Sequence, residues 1–176
     1  GSSFYFIALD LGLVKRAHLP VGAYGEEWQV HGGGFYHVQK YLVAPAQMPE
    51  HLTWFKWEAY WTWITGFFLL ALIYYAGAEL YLVDPAVMPL SKPAAIAMGI
   101  GSLVVSLAVY EGLCRSPLGK SEKNLAVILF PLLAATAWGL CQVFGGRGAF
   151  IHYGAILGTI MAANVAHIII PGQRRM

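Results

Sequence analysis

The sequence predicts an all-α fold, a polytopic transmembrane helix bundle with four full spans, a truncated N-terminal span and an interfacial helix, forming a single membrane domain. Three observations predict it. Four apolar segments, Ala59–Ala78, Ala94–Tyr110, Leu125–Phe144 and Ala149–Ile170, fill most of the chain from residue 59 to 170. A hydrocarbon core of ~30 Å takes ~20 residues at ~1.5 Å each, and lipid gives a loose backbone no water, so helices are the economical solution. Composition agrees: 58% of the 176 residues are hydrophobic, 11% are charged and mean hydropathy is +0.58, whereas soluble domains carry about 25% charge. Finally, the basic residues sort by side. Lys15, Arg16, Lys40, Lys56, Arg115, Lys120, Lys123, Arg174 and Arg175 fall on one side of the expected spans, against only Lys92 and Arg147 on the other. The positive-inside rule then assigns the connection 15–58 and the C-terminus to the cytoplasm.

Along the chain, Phe4–Val14 is an apolar run of eleven residues, roughly 16 Å as a helix and so half a span. The spacing predicts a partial span over 4–14, entered part-way. The long connection 15–58 contains Pro20, Pro45, Pro49 and the run Gly32-Gly33-Gly34. Within it, 28–43 reads as an interfacial helix, because Lys40 and the glycines argue against a full crossing. Full spans are expected over 59–83, 94–114, 125–144 and 149–170, the third kinked at Pro131. Trp54, Trp57, Tyr60, Trp61 and Trp63 form an aromatic belt at the cytoplasmic interface or stack on a flat ring.

Several function classes drop out. A net charge of +2 without a basic helix speaks against nucleic acid. Cys114 and Cys141 lie outside any CxxC or CxxCH pattern, which excludes a zinc ribbon and a covalently attached c-type haem within this chain and leaves them as packing residues. The HGGG at His31–Gly34 lacks the GxSxG elbow of a lipase, and the glycines of Gly99–Val104 follow no strand. A transporter finds no inverted repeat.

The segment Ala149–Ile170 carries most information. Gly154, Gly158 and Ala162 are spaced by four, a small-residue stripe that lets a neighbouring helix approach. His152 and His167 lie on the opposite side, separated by fifteen positions, or ~22 Å of rise. They share a face but not one iron, and the helix is expected to be central. Three roles fit His152: an axial ligand to haem, a hydrogen-bonded structural histidine, or a substrate or proton-path residue. His167 and Asn164 share a face near the cytoplasmic end. Glu58 and Glu111 lie beside Lys56 and Arg115, where ion pairing is the plain expectation. Arg115 suits an anionic headgroup or substrate, or simply snorkels.

The blocks HGGGFYHVQKYLVAP (His31–Pro45), WFKWEAYWTW (Trp54–Trp63), YLVDP (Tyr81–Pro85), CRSPLG (Cys114–Gly119), GGRGAFIHYGA (Gly145–Ala155) and GTIMAANV (Gly158–Val165) resemble the membrane-bound urate hydroxylase family. This is the bacterial, cytochrome-c-linked urate oxidase, whose N-terminal membrane domain often precedes a cytochrome c domain. The resemblance spans almost the whole chain. It implies oxidation of urate to 5-hydroxyisourate, with electrons passed to cytochrome c, in a multi-pass protein of the bacterial inner membrane. It also makes His31, His37 and His152 the candidate cofactor ligands, with His152 and His37 on the iron of a haem b, and Arg115, Asn164 and Glu58 the candidate catalytic residues. GSSFYFIALD resembles the family's first helix entered part-way, after a histidine-bearing stretch. This sequence departs from the family at His167 and Gly172. The competing expectation is a non-catalytic accessory subunit of a larger membrane complex.

Overall fold

The structure, a computed structural model, describes residues 2–53 and 56–173, and the side chains of 4–53 and 56–172. Trp54 of the aromatic belt and Arg174 and Arg175 of the charge pattern lie outside the described residues. The chain divides into two compact units, Gly1–Glu58 with Pro171–Met176, and Ala59–Ile170.

In the first unit, α1 (Ser2–Gly12) precedes an antiparallel hairpin of β1 (Ala23–His31) and β2 (Gly34–Tyr41). The interfacial helix expected over 28–43 is therefore corrected to strand. The reason is local. Gly32 and Gly33 have φ of 59° and 80°, and a two-residue loop with both residues left-handed matches the twist of a hairpin. Trp28, Val30, Phe35 and Val38 flank that loop with side chains that favour a pleated surface. Val14 extends the pairing: its N–H donates to Glu26 O at 2.8 Å, and the Glu26 N–H returns to Val14 O at 3.0 Å.

The two faces of the hairpin differ. Odd-numbered β1 residues meet α1, where Tyr5 Oη donates to Gln29 Oε1 at 2.6 Å and Gln29 Nε2 donates to Glu27 Oε1 at 3.2 Å. Lys40 Nζ pairs with Asp10 Oδ1 at 2.6 Å on the same side. The half-span expected over 4–14 is thus a short helix tied to the hairpin by polar side chains. Even-numbered residues carry Glu26 and Trp28 to the other face.

The second unit is helical. α2 (Lys56–Leu70) runs into a π-helical turn over Ala71–Tyr75, and α3 (Ala78–Tyr81) follows a break at Gly77. Then come α4 (Lys92–Arg115), α5 (Glu122–Val143) and α6 (Gly146–Asn164), the last continued by a π turn over Val165–Ile169 into α7 (Ile170–Gln173). Among the described residues three helical stretches are long and apolar enough to cross a membrane: Lys92–Arg115, Glu122–Val143 and Gly146–Gly172. The stretch expected as a span over 59–83 is not one regular helix. The four-span, all-α bundle is corrected accordingly: the fold is mainly helical, with a two-stranded sheet and three candidate crossings.

α6 packs against both α4 and α5, as its expected central position requires. Its buried face carries Ala149, His152 and Ile156, which join Tyr75, Leu103, Leu140 and Phe144 in the core. The small-residue stripe behaves otherwise. No described residue comes within 4 Å of the position a Cβ would take at Gly154 or Gly158, so no helix of this chain occupies it.

The turn geometry is testable. Gly33→Val places a β-branched residue in the left-handed region, at a cost of about 1–2 kcal/mol, whereas Gly33→Asn is expected to retain the hairpin. Limited proteolysis of the full protein should cut within 23–41 in the valine variant and spare the asparagine variant.

Candidate functional site

Glu26 organises the first unit. It is 2% exposed, and a carboxylate withdrawn from water must be matched by donors and positive charge. His37, diagonal to it across the strand pair, supplies the closest contact, His37 Nε2 to Glu26 Oε2 at 2.6 Å. Arg16 Nε and His18 Nε2, from the segment after α1, stand 3.2 and 3.3 Å from Oε1. Neither is aligned as a hydrogen bond, so Oε1 is a buried acceptor matched by charge alone. The His37 ring stacks on Trp28, its direct cross-strand partner, at 4.3 Å between centroids and 10° between planes. The carboxylate and the indole therefore fix the ring in both position and plane. Because Nε2 donates to Glu26, Nδ1 is the acceptor edge.

The hydrogen bond from His37 holds the Glu26 carboxyl below its ordinary value, reinforced by the charges of His18, His37 and Arg16 and opposed by burial. A carboxyl whose value is depressed by folding adds stability above its unfolded value, and that contribution is lost as pH falls through the folded one.

His152, in the second unit, is fully buried. Its Nδ1 lies 2.9 Å from Gly148 O and its Nε2 3.3 Å from Tyr75 Oη. In the neutral imidazole one tautomer satisfies both contacts: Nδ1–H donates to the carbonyl, and the tyrosine hydroxyl donates to Nε2. Phe144 stacks on the ring at 5.0 Å. A Cβ at Gly99 would stand 2.6 Å from Nε2, so glycine is what lets α4 approach. Of the three roles expected for His152, this geometry is that of the structural histidine.

The other expected residues are scattered. His31 ends β1 at the turn and is exposed, on the opposite face from His37. Arg115 ends α4, and its Nη2 donates to Glu111 Oε2 at 2.9 Å, the ion pair anticipated there. Asn164 Nδ2 donates to Ile160 O at 3.1 Å. Arg115 lies at the C-terminal end of α4 and Asn164 at the C-terminal end of α6. Glu58 sits in the first turn of α2.

A haem finds no ready ligand among the histidines expected to hold one. Both nitrogens of His152 are engaged and Gly99 closes on Nε2; His37 gives Nε2 to Glu26; His31 and His37 diverge. Among the described residues no three His, Cys, Asp or Glu side chains are grouped to hold a metal ion. Sequence reasoning missed Glu26, Arg16, His18 and the role of Trp28. The signal was the Gly32-Gly33 loop, since strand pairing across it places residues 26 and 28 beside His37.

A family model described as urate oxidase N-terminal matches residues 1–176, the whole chain. The chain belongs to the urate oxidase N-terminal family. No curated protein and no solved structure matches it. Membership relates this urate oxidase N-terminal chain to urate oxidation and agrees with the coarser part of the resemblance read from the sequence blocks.

Two outcomes test the geometry. Glu26→Gln should abolish the loss of hairpin structure that wild type shows as pH drops below the ordinary carboxylate range, followed by circular dichroism and Trp28 fluorescence. Tyr75→Phe should leave Nε2 of His152 buried without a donor, costing about 1–3 kcal/mol, read as a lowered melting temperature in detergent.

Proposed function

We propose that this chain is the membrane-anchored part of a system that oxidises urate to 5-hydroxyisourate and passes the electrons to cytochrome c, as a separate protein or a fused domain. The family match over the whole chain carries this reading. The three apolar helices support an anchor in the cytoplasmic membrane of a bacterium. Around them Arg115, Lys120 and Lys123 fall at one end of the helices, against Lys92 and Arg147 at the other, which argues for a cytoplasmic α4–α5 connection. Arg115 and Asn164, at the C-terminal ends of α4 and α6, remain the residues of that unit proposed to meet an anionic purine.

A second reading, a non-catalytic subunit of a larger membrane complex, is favoured by the open small-residue stripe at Gly154 and Gly158, which a helix of another chain would fit. The test separates the two. Membranes containing the full-length protein should reduce added ferric cytochrome c only when urate is present, two cytochromes per urate consumed. Absence of urate-dependent reduction, with stoichiometric co-purification in a large complex, overturns the enzyme reading.

A further inference from the structure

We infer that His37 is the proton acceptor in the oxidation of a planar purine anion bound against Trp28 and Arg16, with Glu26 as its positioning residue. This inference rests on the urate-oxidising reading and, within it, places the reacting purine in the first unit instead of at Arg115 and Asn164.

Three observations meet at His37. Its ring is fixed in plane by Trp28 and in direction by the Glu26 contact of 2.6 Å. That contact occupies Nε2, so the proton-accepting nitrogen is Nδ1, for which the described residues supply no side-chain partner. The ring is 31% exposed while the carboxylate behind it is 2% exposed. This is the arrangement of a base and its orienting acid: the buried anion fixes the tautomer and stabilises the imidazolium that forms. Beside it, Trp28 is 61% exposed, and its neighbours on the same face, Val30 and Phe35, are exposed as well. The indole face toward His37 is filled by the imidazole itself, so a flat, electron-rich heterocycle meets the exposed edge of Trp28 with Val30 and Phe35, beside the base. Arg16 meets Glu26 through Nε and is 56% exposed, so its side chain adds a positive charge beside the carboxylate that is accessible to an anion. The charged groups that face Glu26 are Arg16, His18 and His37; Glu27 and Lys40 lie on the other face.

The chemistry balances. Urate monoanion and water give neutral 5-hydroxyisourate, one proton and two electrons. The bond formed is carbon to water oxygen, and the bond broken is one O–H of that water. Its proton goes to His37 Nδ1. The two electrons leave one at a time to two ferric cytochromes, each reduced to ferrous. One base suffices.

The experiment uses the full-length protein in membranes or detergent. In wild type, kcat for urate-dependent cytochrome c reduction should show an acid limb. His37→Gln keeps an amide donor toward Glu26, so the hairpin is retained; it should lower kcat by about 100-fold or more, with KM changed only a few-fold and the acid limb gone. Glu26→Gln should move the limb, which a purely structural role would not do, and imidazole should restore part of the rate to His37→Ala. In parallel, urate without cytochrome c should shift the His37 ring resonances in an NMR spectrum of wild type, and Trp28→Ala should abolish that shift. If wild type turns over and His37→Gln keeps its rate and pH profile, the inference falls and the urate reading stands. If urate leaves the His37 resonances unmoved, the inference falls whatever the turnover. If wild type neither binds nor oxidises urate, both fall.

Discussion

The first unit is arranged around one constraint: a carboxylate has been taken out of water. An ion without partners in that position is unfavourable. Glu26 therefore dictates its neighbours. The segment after α1 turns back so that Arg16 and His18 reach one oxygen, and Val14 pairs with the Glu26 backbone to hold that segment in register. β2 must pair so that His37, not Val38, falls on the same face; a slip of one residue would bury the wrong side chain. The left-handed Gly32-Gly33 turn sets that register. Turn, register, loop and histidine orientation all answer the same electrostatic demand.

The helical unit solves the opposite problem. Several of its polar side chains are uncharged and bond to carbonyls of their own helices, which keeps the backbone and its side chains mutually satisfied. His152 closes on a carbonyl four residues back and on a tyrosine hydroxyl. Thr65, Ser102 and Thr136 return their hydroxyls to carbonyls of their own helices, and Asn164 does so with its amide. Packing is then free to depend on shape. Gly99 admits the His152 ring, Phe144 covers it and Ile156 extends the same stripe one turn on.

Legibility followed periodicity. Expected spans over 94–114, 125–144 and 149–170 correspond to α4, α5 and the run from α6 into its π turn, because long apolar stretches leave a helix little alternative. The span over 59–83 failed at Gly77, where hydropathy averaged across a break says nothing about backbone. The hairpin was misread because 28–43 was weighed for span against interface, while the two-residue glycine loop between aromatic and β-branched flanks was the stronger signal. With the strand missed, Glu26 and His37 were eleven positions apart and unrelated; on paired strands they are diagonal neighbours. The stripe on α6 is expected to admit a neighbouring helix, yet no described residue approaches Gly154 or Gly158 closely.

The two histidines that sequence reasoning treated alike now separate on chemical grounds. A histidine can move a proton only if one nitrogen faces the reacting molecule and the other is held by a group that tolerates the resulting charge. His152 has neither property: both nitrogens are consumed by neutral partners, and an imidazolium there would face a carbonyl on one side and a displaced hydroxyl on the other. His37 meets the second condition, since a buried carboxylate holds its Nε2, and its ring stays part-exposed beside Trp28. The resemblance that drew attention to these residues concerned their positions, not their environments. Their environments differ: the His152 ring is enclosed among the helices, whereas the His37 ring lies open on the hairpin.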